Sequence, residues 1–309
     1  MVSRGRETRS LLASALLLVA TCGLAALASP MVPPGTASAA PAGNSQVVAY
    51  LVSGVGNGHG RGLSQWGAYG RAVNGGQSWT EILDTYYGGT QSATRSEPGL
   101  RVRLTPWDGS PSLAVISKSG RALWGGKAYY SLKAEEISPG LFRVSGSTSL
   151  GCPGSVEPAT GWQKIQDVAG PIVFTTDVDP ASSAGGAVLG VCWGSGSVSH
   201  YRGSLEIRDT ADGNRVVNQL DVELYLRGVI PKEVYPSWGT AGGGSGMNAL
   251  KAQAVAARSF AMSQNRYSYA KTCDTSSCQV YGGAGTSPTP VSAGFVGVEH
   301  PLTTQAVNE

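Results

Sequence analysis

Val222-Glu223-Leu224-Tyr225-Leu226-Arg227-Gly228-Val229-Ile230-Pro231-Lys232-Glu233-Val234-Tyr235-Pro236 is the stretch on which the reading of this chain turns. An apolar run ends in a turn, and a carboxylate sits at that turn between two prolines. The prolines fix the backbone and hold Glu233 in place. A carboxyl set against an apolar wall is suited to act as a general acid near neutral pH. By position alone, however, Glu233 reads first as a solvated turn residue, as most glutamates in turns are. Asp84, Asp274 and Glu223 are comparable carboxylates with no distinguishing context.

A glycine-rich spacer, Gly242-Gly243-Gly244-Ser245-Gly246, follows this stretch. The alanine-rich segment from Asn248 to about Tyr267 then predicts the one strong helix, with Ser245 able to cap it. Its small side chains let it lie close against a neighbour. Upstream, Tyr201–Arg208 reads as a strand, Asp212-Gly213-Asn214 as a turn, and Val216–Leu220 as the hairpin partner.

Between Ala93 and His200 the pattern changes to many short strands. Leu100–Leu104, Ser112–Ile116, Gly140–Val144 and Ile172–Phe174 are candidates, with turns at Asp108-Gly109 and Ser119-Gly120. No chemistry-bearing constellation stands out there. Trp107, Trp124, Trp162 and Trp193 suit scaffold packing or contact with carbohydrate. Nearer the amino end, Val47–Val52 reads as a strand. A helix is expected from Ser64, its N-cap, to Val73, and a second from Thr80 to Tyr87, stopped by Gly88-Gly89.

The first forty residues look like a signal peptide. Arg4, Arg6 and Arg9 precede the apolar run Leu11–Ala20, and Ala37-Ser38-Ala39 offers a cleavage site. An uncleaved membrane anchor is the rival reading, and Thr21, Cys22 and Gly23 interrupt the apolar stretch against it. The leader carries two of the +3 formal charges, so the remainder is close to neutral and has no electrostatic footprint for nucleic acid. A secreted, extracytoplasmic location with no stable membrane span after cleavage is expected. Export then makes Cys152, Cys192, Cys273 and Cys278 disulfide candidates. The simplest pairing is Cys152–Cys192 with Cys273–Cys278, one of three connectivities. Cys273 and Cys278 with a histidine would also suit zinc, but export favours the disulfide, and no cofactor is expected.

Other catalytic chemistries lack their parts. The chain has three histidines, His59, His200 and His300. It has no G-x-S-x-G elbow and no H-E-x-x-H.

Four stretches together resemble one family. Tyr225-Leu226-Arg227-Gly228-Val229-Ile230-Pro231-Lys232-Glu233-Val234 is similar to a Y-x-x-G-V-x-x-x-E-[MV] segment. Asn248–Ser259 is similar to an A-L-K-A-Q-A-[VI]-A-A-R-[ST] helix. Asp274-Thr275-Ser276-Ser277-Cys278-Gln279-Val280-Tyr281-Gly282-Gly283 matches D-x-x-x-C-Q-V-Y-x-G. His59-Gly60-Arg61-Gly62-Leu63-Ser64-Gln65-Trp66-Gly67-Ala68 matches H-G-x-G-[LM]-S-Q-[WY]-G-A. The family is the SpoIID/LytB group of stage II sporulation protein D and amidase enhancers. The motifs cover residues 58–90 and 222–283.

The resemblance implies an α+β fold, β-rich with a few helices, in which a glycan-cleft domain is joined to an all-β segment. The expected organisation is residues 1–40 as signal peptide, 41–93 with the His59 motif, 94–200 as β-rich segment and 201–309 as SpoIID-like core. It implies a lytic transglycosylase acting on peptidoglycan strands, preferably denuded of stem peptides, with Glu233 as the single general acid and base. Gln279 and Tyr281 are expected in the glycan cleft, and His59, Ser64 and Gln65 line or brace it. Gln253 and Arg258 either bind N-acetyl or lactyl groups or tie loops together. A zinc near the Cys-Gln-Val-Tyr segment occurs in some members; here Cys273 offers Cys278 a disulfide partner.

Two departures from the family pattern stand out. The His59 motif precedes the Cys278 segment here, whereas in sporulation-type members it follows, so a permuted assembly is expected. The chain also stops at Val307-Asn308-Glu309, where members continue, so part of the cleft is expected to lie beyond it. Two non-enzymatic readings remain: an enhancer of a cell-wall amidase, and a wall-binding protein with a decayed enzyme core.

Overall fold

Asp221 caps the helix Val222–Glu233. Its side chain accepts from the backbone N–H of Glu223 at 2.8 Å. The computed structural model describes residues 62–94, 99–117, 119–181, 188–292 and 294–309, all within one compact unit. The signal-peptide, linker and Val47–Val52 expectations, and His59, lie outside the described residues.

Five helices occur among the described residues: α1 Gln65–Val73, α2 Trp79–Tyr87, α3 Val222–Glu233, α4 Met247–Ser263 and α5 Pro301–Asn308. The strands are β1 Leu100–Arg103, β2 Ser112–Ile116, β3 Ala122–Trp124, β4 Lys127–Tyr129, β5 Ser131–Ser138, β6 Leu141–Ser147, β7 Gln163–Ala169 and β8 Ile172–Thr176. They continue with β9 Leu189–Cys192, β10 Val198–Tyr201, β11 Ser204–Arg208, β12 Arg215–Leu220, β13 Thr272–Cys273, β14 Gly285–Ser287 and β15 Val296–Gly297. The class is α+β and β-rich, as expected.

Two sheets carry the fold. One runs β13-β1-β12-β11-β8-β3-β4, the other β15-β14-β10-β9-β2-β5-β6-β7. The β1–β13 pair is parallel and the remaining pairs are antiparallel. Both sheets mix strands from residues 94–200 with strands from residues 201–309. The boundary expected near residue 200 therefore divides motifs, not packed bodies.

The strand expected over Tyr201–Arg208 is split. Tyr201 ends β10 in one sheet and Ser204 begins β11 in the other. Gly203 makes the crossing, with φ +76°. A Cβ there would meet the carbonyl oxygen of Gln219 at 2.2 Å, so no larger residue could bring the two backbones this close. The β11–β12 hairpin forms as expected, pairing Arg208 with Arg215 and Ser204 with Gln219.

Four of the helices form a layer around α4, which packs against α1, α2, α3, α5 and the 3-10 segment Pro236–Gly244. Ser64 caps α1 by accepting from Gly67 N–H, and Ser78 with Glu81 forms a reciprocal capping box on α2. The expected Ser245 cap on α4 does not form. Gly246 occupies the N-cap, and the Ser245 hydroxyl donates to the Gly242 carbonyl at 3.0 Å. The helix also ends four residues early, because Gln264 turns to extended backbone and Arg266 N–H pairs with the Lys271 carbonyl. Ala249, Ala252, Ala254, Ala257 and Ala261 are all buried, which is how small side chains let the layer close up.

Both disulfides form in the simplest pairing, Cys152–Cys192 and Cys273–Cys278.

Candidate active site

The local chemistry of α3 places Glu233. Leu224, Tyr225, Leu226, Gly228, Val229 and Ile230 are buried, so the helix is apolar around most of its circumference and lies inside the fold. Pro231 lacks an N–H, so the carbonyl of Arg227 loses its helical donor and the helix ends two residues later. Val234 takes extended backbone and donates to Ile230. Glu233 is thus the last residue of a buried helix, half-buried itself, not a residue in a turn as the prolines suggested.

Gly228 sets how closely α3 meets the Cys278 loop. The Gly282 N–H donates to the Gly228 carbonyl at 3.1 Å. A Cβ on Gly228 would lie 2.5 Å from the Gly283 carbonyl oxygen and 2.7 Å from the Tyr281 ring. The glycine in the middle of this motif is a packing requirement for the loop.

Gln65 reaches the carboxyl from the other side. Its amide Nε2 donates to Glu233 Oε2 at 3.3 Å, although the two residues are 168 apart in sequence. The first motif in this chain, through its described residue Gln65, therefore meets the Glu233 motif. Ser64, one residue earlier, is exposed and serves as the cap of α1.

Tyr225 lies two turns before Glu233 on α3 and is fully buried. Burial pushes its hydroxyl pKa well up, and the nearby Glu233 charge adds to that shift. The hydroxyl donates to Gln279 Oε1 at 3.4 Å, so Gln279, itself buried, is linked to the site through Tyr225. Tyr225 drew no attention as a site residue in the sequence. Its helical spacing from Glu233 was the available signal, once the stretch is read as a helix.

Tyr281 does not offer a ring to a ligand. It is buried, its ring sits 4.8 Å from that of Tyr225, and its hydroxyl donates to Asn218 Oδ1 at 2.9 Å. This corrects its expected place in the cleft: packing against Tyr225 and Tyr201 uses both its apolar body and its polar tip.

Arg258 points to the opposite end of α3. Its guanidinium grips Glu223, with Nε to Oε1 at 2.7 Å and Nη2 on Oε2, and Nη2 also donates to the Val307 carbonyl at 3.1 Å. Glu223 and Glu233 are separated by ten residues of helix, about 15 Å at 1.5 Å per residue. Of the two readings of Arg258, the structural tie is the one its contacts express. It lines a cavity of about 610 Å³ with Trp79, Glu223, Lys251 and the α5 end, away from Glu233. Gln253 is buried within α4.

Trp66, next to Gln65 in sequence, and Tyr235, two residues after Glu233, belong to one aromatic cluster. Trp66 and Tyr235 are 64% and 63% exposed, with ring centroids 6.2 Å apart. Both rest on the buried Trp238, at 4.9 and 5.9 Å, and Tyr69 packs on Trp238 at 4.7 Å. The tryptophans expected to suit packing or carbohydrate contact, Trp107, Trp124, Trp162 and Trp193, lie in the strand-rich part of the chain. There Trp107 is buried against Trp193 and Tyr201.

The Cys273 and Cys278 sulfur atoms are bonded to each other and offer no thiolate to a metal. Among the described residues no group of three His, Cys, Asp or Glu side chains is placed to hold a metal ion. The zinc of some family members does not fit these residues. Asp274, beside the disulfide, is instead engaged by Thr105, whose N–H and hydroxyl both donate to its Oδ1 at 3.1 and 2.7 Å.

The carboxy-terminal third of the chain matches a known family. Residues 210–309 match the family model for SpoIID, stage II sporulation protein. An uncharacterized protein of Brachyspira hyodysenteriae (strain ATCC 49526 / WA1) is 48% identical over 62 residues, which is 20% of this chain and 15% of that protein. No solved structure matches the chain.

Proposed function

On the premise of a SpoIID domain at residues 210–309, we propose that this chain is an exported lytic transglycosylase of bacterial peptidoglycan. The observation that carries the reading is the Gln65–Glu233 hydrogen bond, which joins two separate motifs at one carboxyl.

The chemistry needs one carboxyl working twice. Protonated Glu233 gives its proton to the oxygen that links N-acetylmuramic acid to N-acetylglucosamine. The C1–O bond breaks and positive charge develops at C1 of the muramic ring. The carboxylate so formed takes the proton from the muramic 6-hydroxyl as that oxygen attacks C1. The product is a 1,6-anhydro sugar, the enzyme ends protonated as it began, and no water is consumed. An internal nucleophile removes the need for a second carboxylate. Gln65 has a defined part: its amide N–H donates to Oε2, which leaves Oε1 as the oxygen suited to carry a proton to the substrate.

Denuded glycan strands are the expected substrate and the cell wall the expected location. No helix among the described residues is long and apolar enough to cross a membrane. The test is to incubate the chain and its Glu233→Gln variant with glycan strands, with and without stem peptides, and to look for anhydromuramic ends by mass spectrometry. Identical traces from both proteins overturn the assignment. Product that appears only when an amidase is added moves the reading to an amidase enhancer.

A further inference from the structure

We propose that Trp66 and Tyr235 form a sugar-binding platform that holds the pyranose ring next to the bond attacked at Glu233. This deepens the transglycosylase reading and rests on it for the identity of the strand.

Trp66 and Tyr235 are the most exposed aromatic side chains among the described residues. Large aromatics are normally drawn inward, and a paired exposed set calls for a reason. Neither ring is loose. Trp66 is held by Tyr69, edge-on at 5.7 Å, and by Trp238 beneath it at 4.9 Å. Tyr235 leans on the same Trp238. The two outer rings, inclined at 52°, are therefore supported from behind by buried aromatic surface. Rings fixed in advance lose little freedom when they bind.

Their position selects the occupant. Trp66 follows Gln65, whose amide is bonded to the Glu233 carboxyl, and Tyr235 comes two residues after Glu233. Both rings belong to residues within two positions of the bonded pair, so a glycan strand lying on them is held near the bond that Glu233 would protonate. One face of a β-linked aminosugar ring is a sheet of C–H groups, while its hydroxyls and N-acetyl group project at the edge. Such a ring matches apolar faces bordered by an amide and a carboxyl. Two rings are also too small a patch for a stable protein partner, which needs about 800 Å² on each side.

Binding is measured by titration calorimetry in the Glu233→Gln background, with the N-acetylglucosamine tetramer and denuded glycan strands as probes. Trp66→Ala and Tyr235→Ala are each expected to weaken binding by about tenfold, the loss of one buried aromatic contact. Trp66→Tyr, which keeps a ring, is expected to stay within about threefold. In the active chain Trp66→Ala raises KM and leaves kcat nearly unchanged. Both side chains are largely in water, so circular dichroism and melting temperature stay near those of the parent. If the alanine variants bind as tightly as the parent, the platform is wrong while the enzyme reading stands. If they lose binding but the parent makes no anhydro product, the platform stands and the enzyme reading falls. If the parent binds neither probe, or Trp66→Ala merely turns a dimer into a monomer with unchanged binding, the platform is overturned.

Discussion

Gln65 donates its side-chain amide to Glu233 at 3.3 Å, across 168 residues of chain. The bond explains why a motif displaced to the front of the sequence still belongs with the acid. It also assigns the two carboxyl oxygens different work. Gln65→Ala is expected to lower kcat by about tenfold to a hundredfold, while Glu233→Gln lowers it by at least about a thousandfold, within the range for removing a general acid. Steady-state release of anhydromuramic ends measures both. Equal losses in the two variants would contradict a supporting role for Gln65.

Arg258 should matter to stability and not to glycan. Its bidentate grip on Glu223 and its bond to the Val307 carbonyl tie α4 to α3 and α5. Both side chains are partly exposed, so the coupling energy is expected near 1 kcal/mol, at the upper end for surface pairs. A double-mutant cycle with Glu223→Ala and Arg258→Ala, read by urea unfolding, gives that energy. A KM that rises more than about tenfold in Arg258→Ala, with stability unchanged, would return Arg258 to the substrate site.

Gly228→Ala tests the helix–loop approach. Alanine gains about 1 kcal/mol of helix propensity over glycine. Against it stands a Cβ placed 2.5 Å from the Gly283 carbonyl, a backbone atom that cannot step aside cheaply. Overpacking costs of about 1–3 kcal/mol should win. Net destabilisation in a urea melt is the expected sign, and a more stable variant would refute the close approach.

The two disulfides should divide their labour. Cys152–Cys192 closes a loop with a sequence separation of 40, and Cys273–Cys278 one of 5. Loop-closure entropy then predicts losses of about 4 and about 2 kcal/mol when each pair is replaced by serine. The short loop adjoins Gln279, which meets the buried Tyr225 hydroxyl. Its removal should therefore lower activity more than the longer loop's does. Guanidinium melts and turnover measured on both double variants decide, and the reverse order of either quantity would count against this assignment.

Asp274 carries a pH signature. Burial raises its carboxyl pKa, and the two Thr105 hydrogen bonds only partly oppose that. A raised pKa in the folded state means that the stabilisation is complete below the ordinary value of 3.8 and is lost as pH rises through the folded value. Asp274→Asn keeps an Oδ1 for Thr105 and cannot ionise. Relative to this variant, the parent should lose stability as pH climbs from below 3.8 towards neutrality. A difference that is flat with pH, or that grows in the parent's favour, would show that the carboxyl is not held this way.

Much of this was legible in the residues. Ser64 before an apolar helix pattern, Gly88-Gly89 after one, and alternation in Leu100–Leu104 act over a few residues, and the elements formed where these signals lie. The α+β class came with the family resemblance, and the cysteine pairings followed from export and the simplest pairing along the chain. Glu233 was singled out by its motif, but the proline pair was misread as a turn. Pro231 is tolerated in a last helical turn, where only one carbonyl loses its donor. What tertiary structure alone decided is which side chains meet. Spacing along the chain says nothing of a bond across 168 residues, of Arg258 turning to Glu223, or of Tyr281 sinking into the core while Trp66 stays outside. Those outcomes depend on how α3 and α4 pack and on two sheets that share strands from distant parts of the chain.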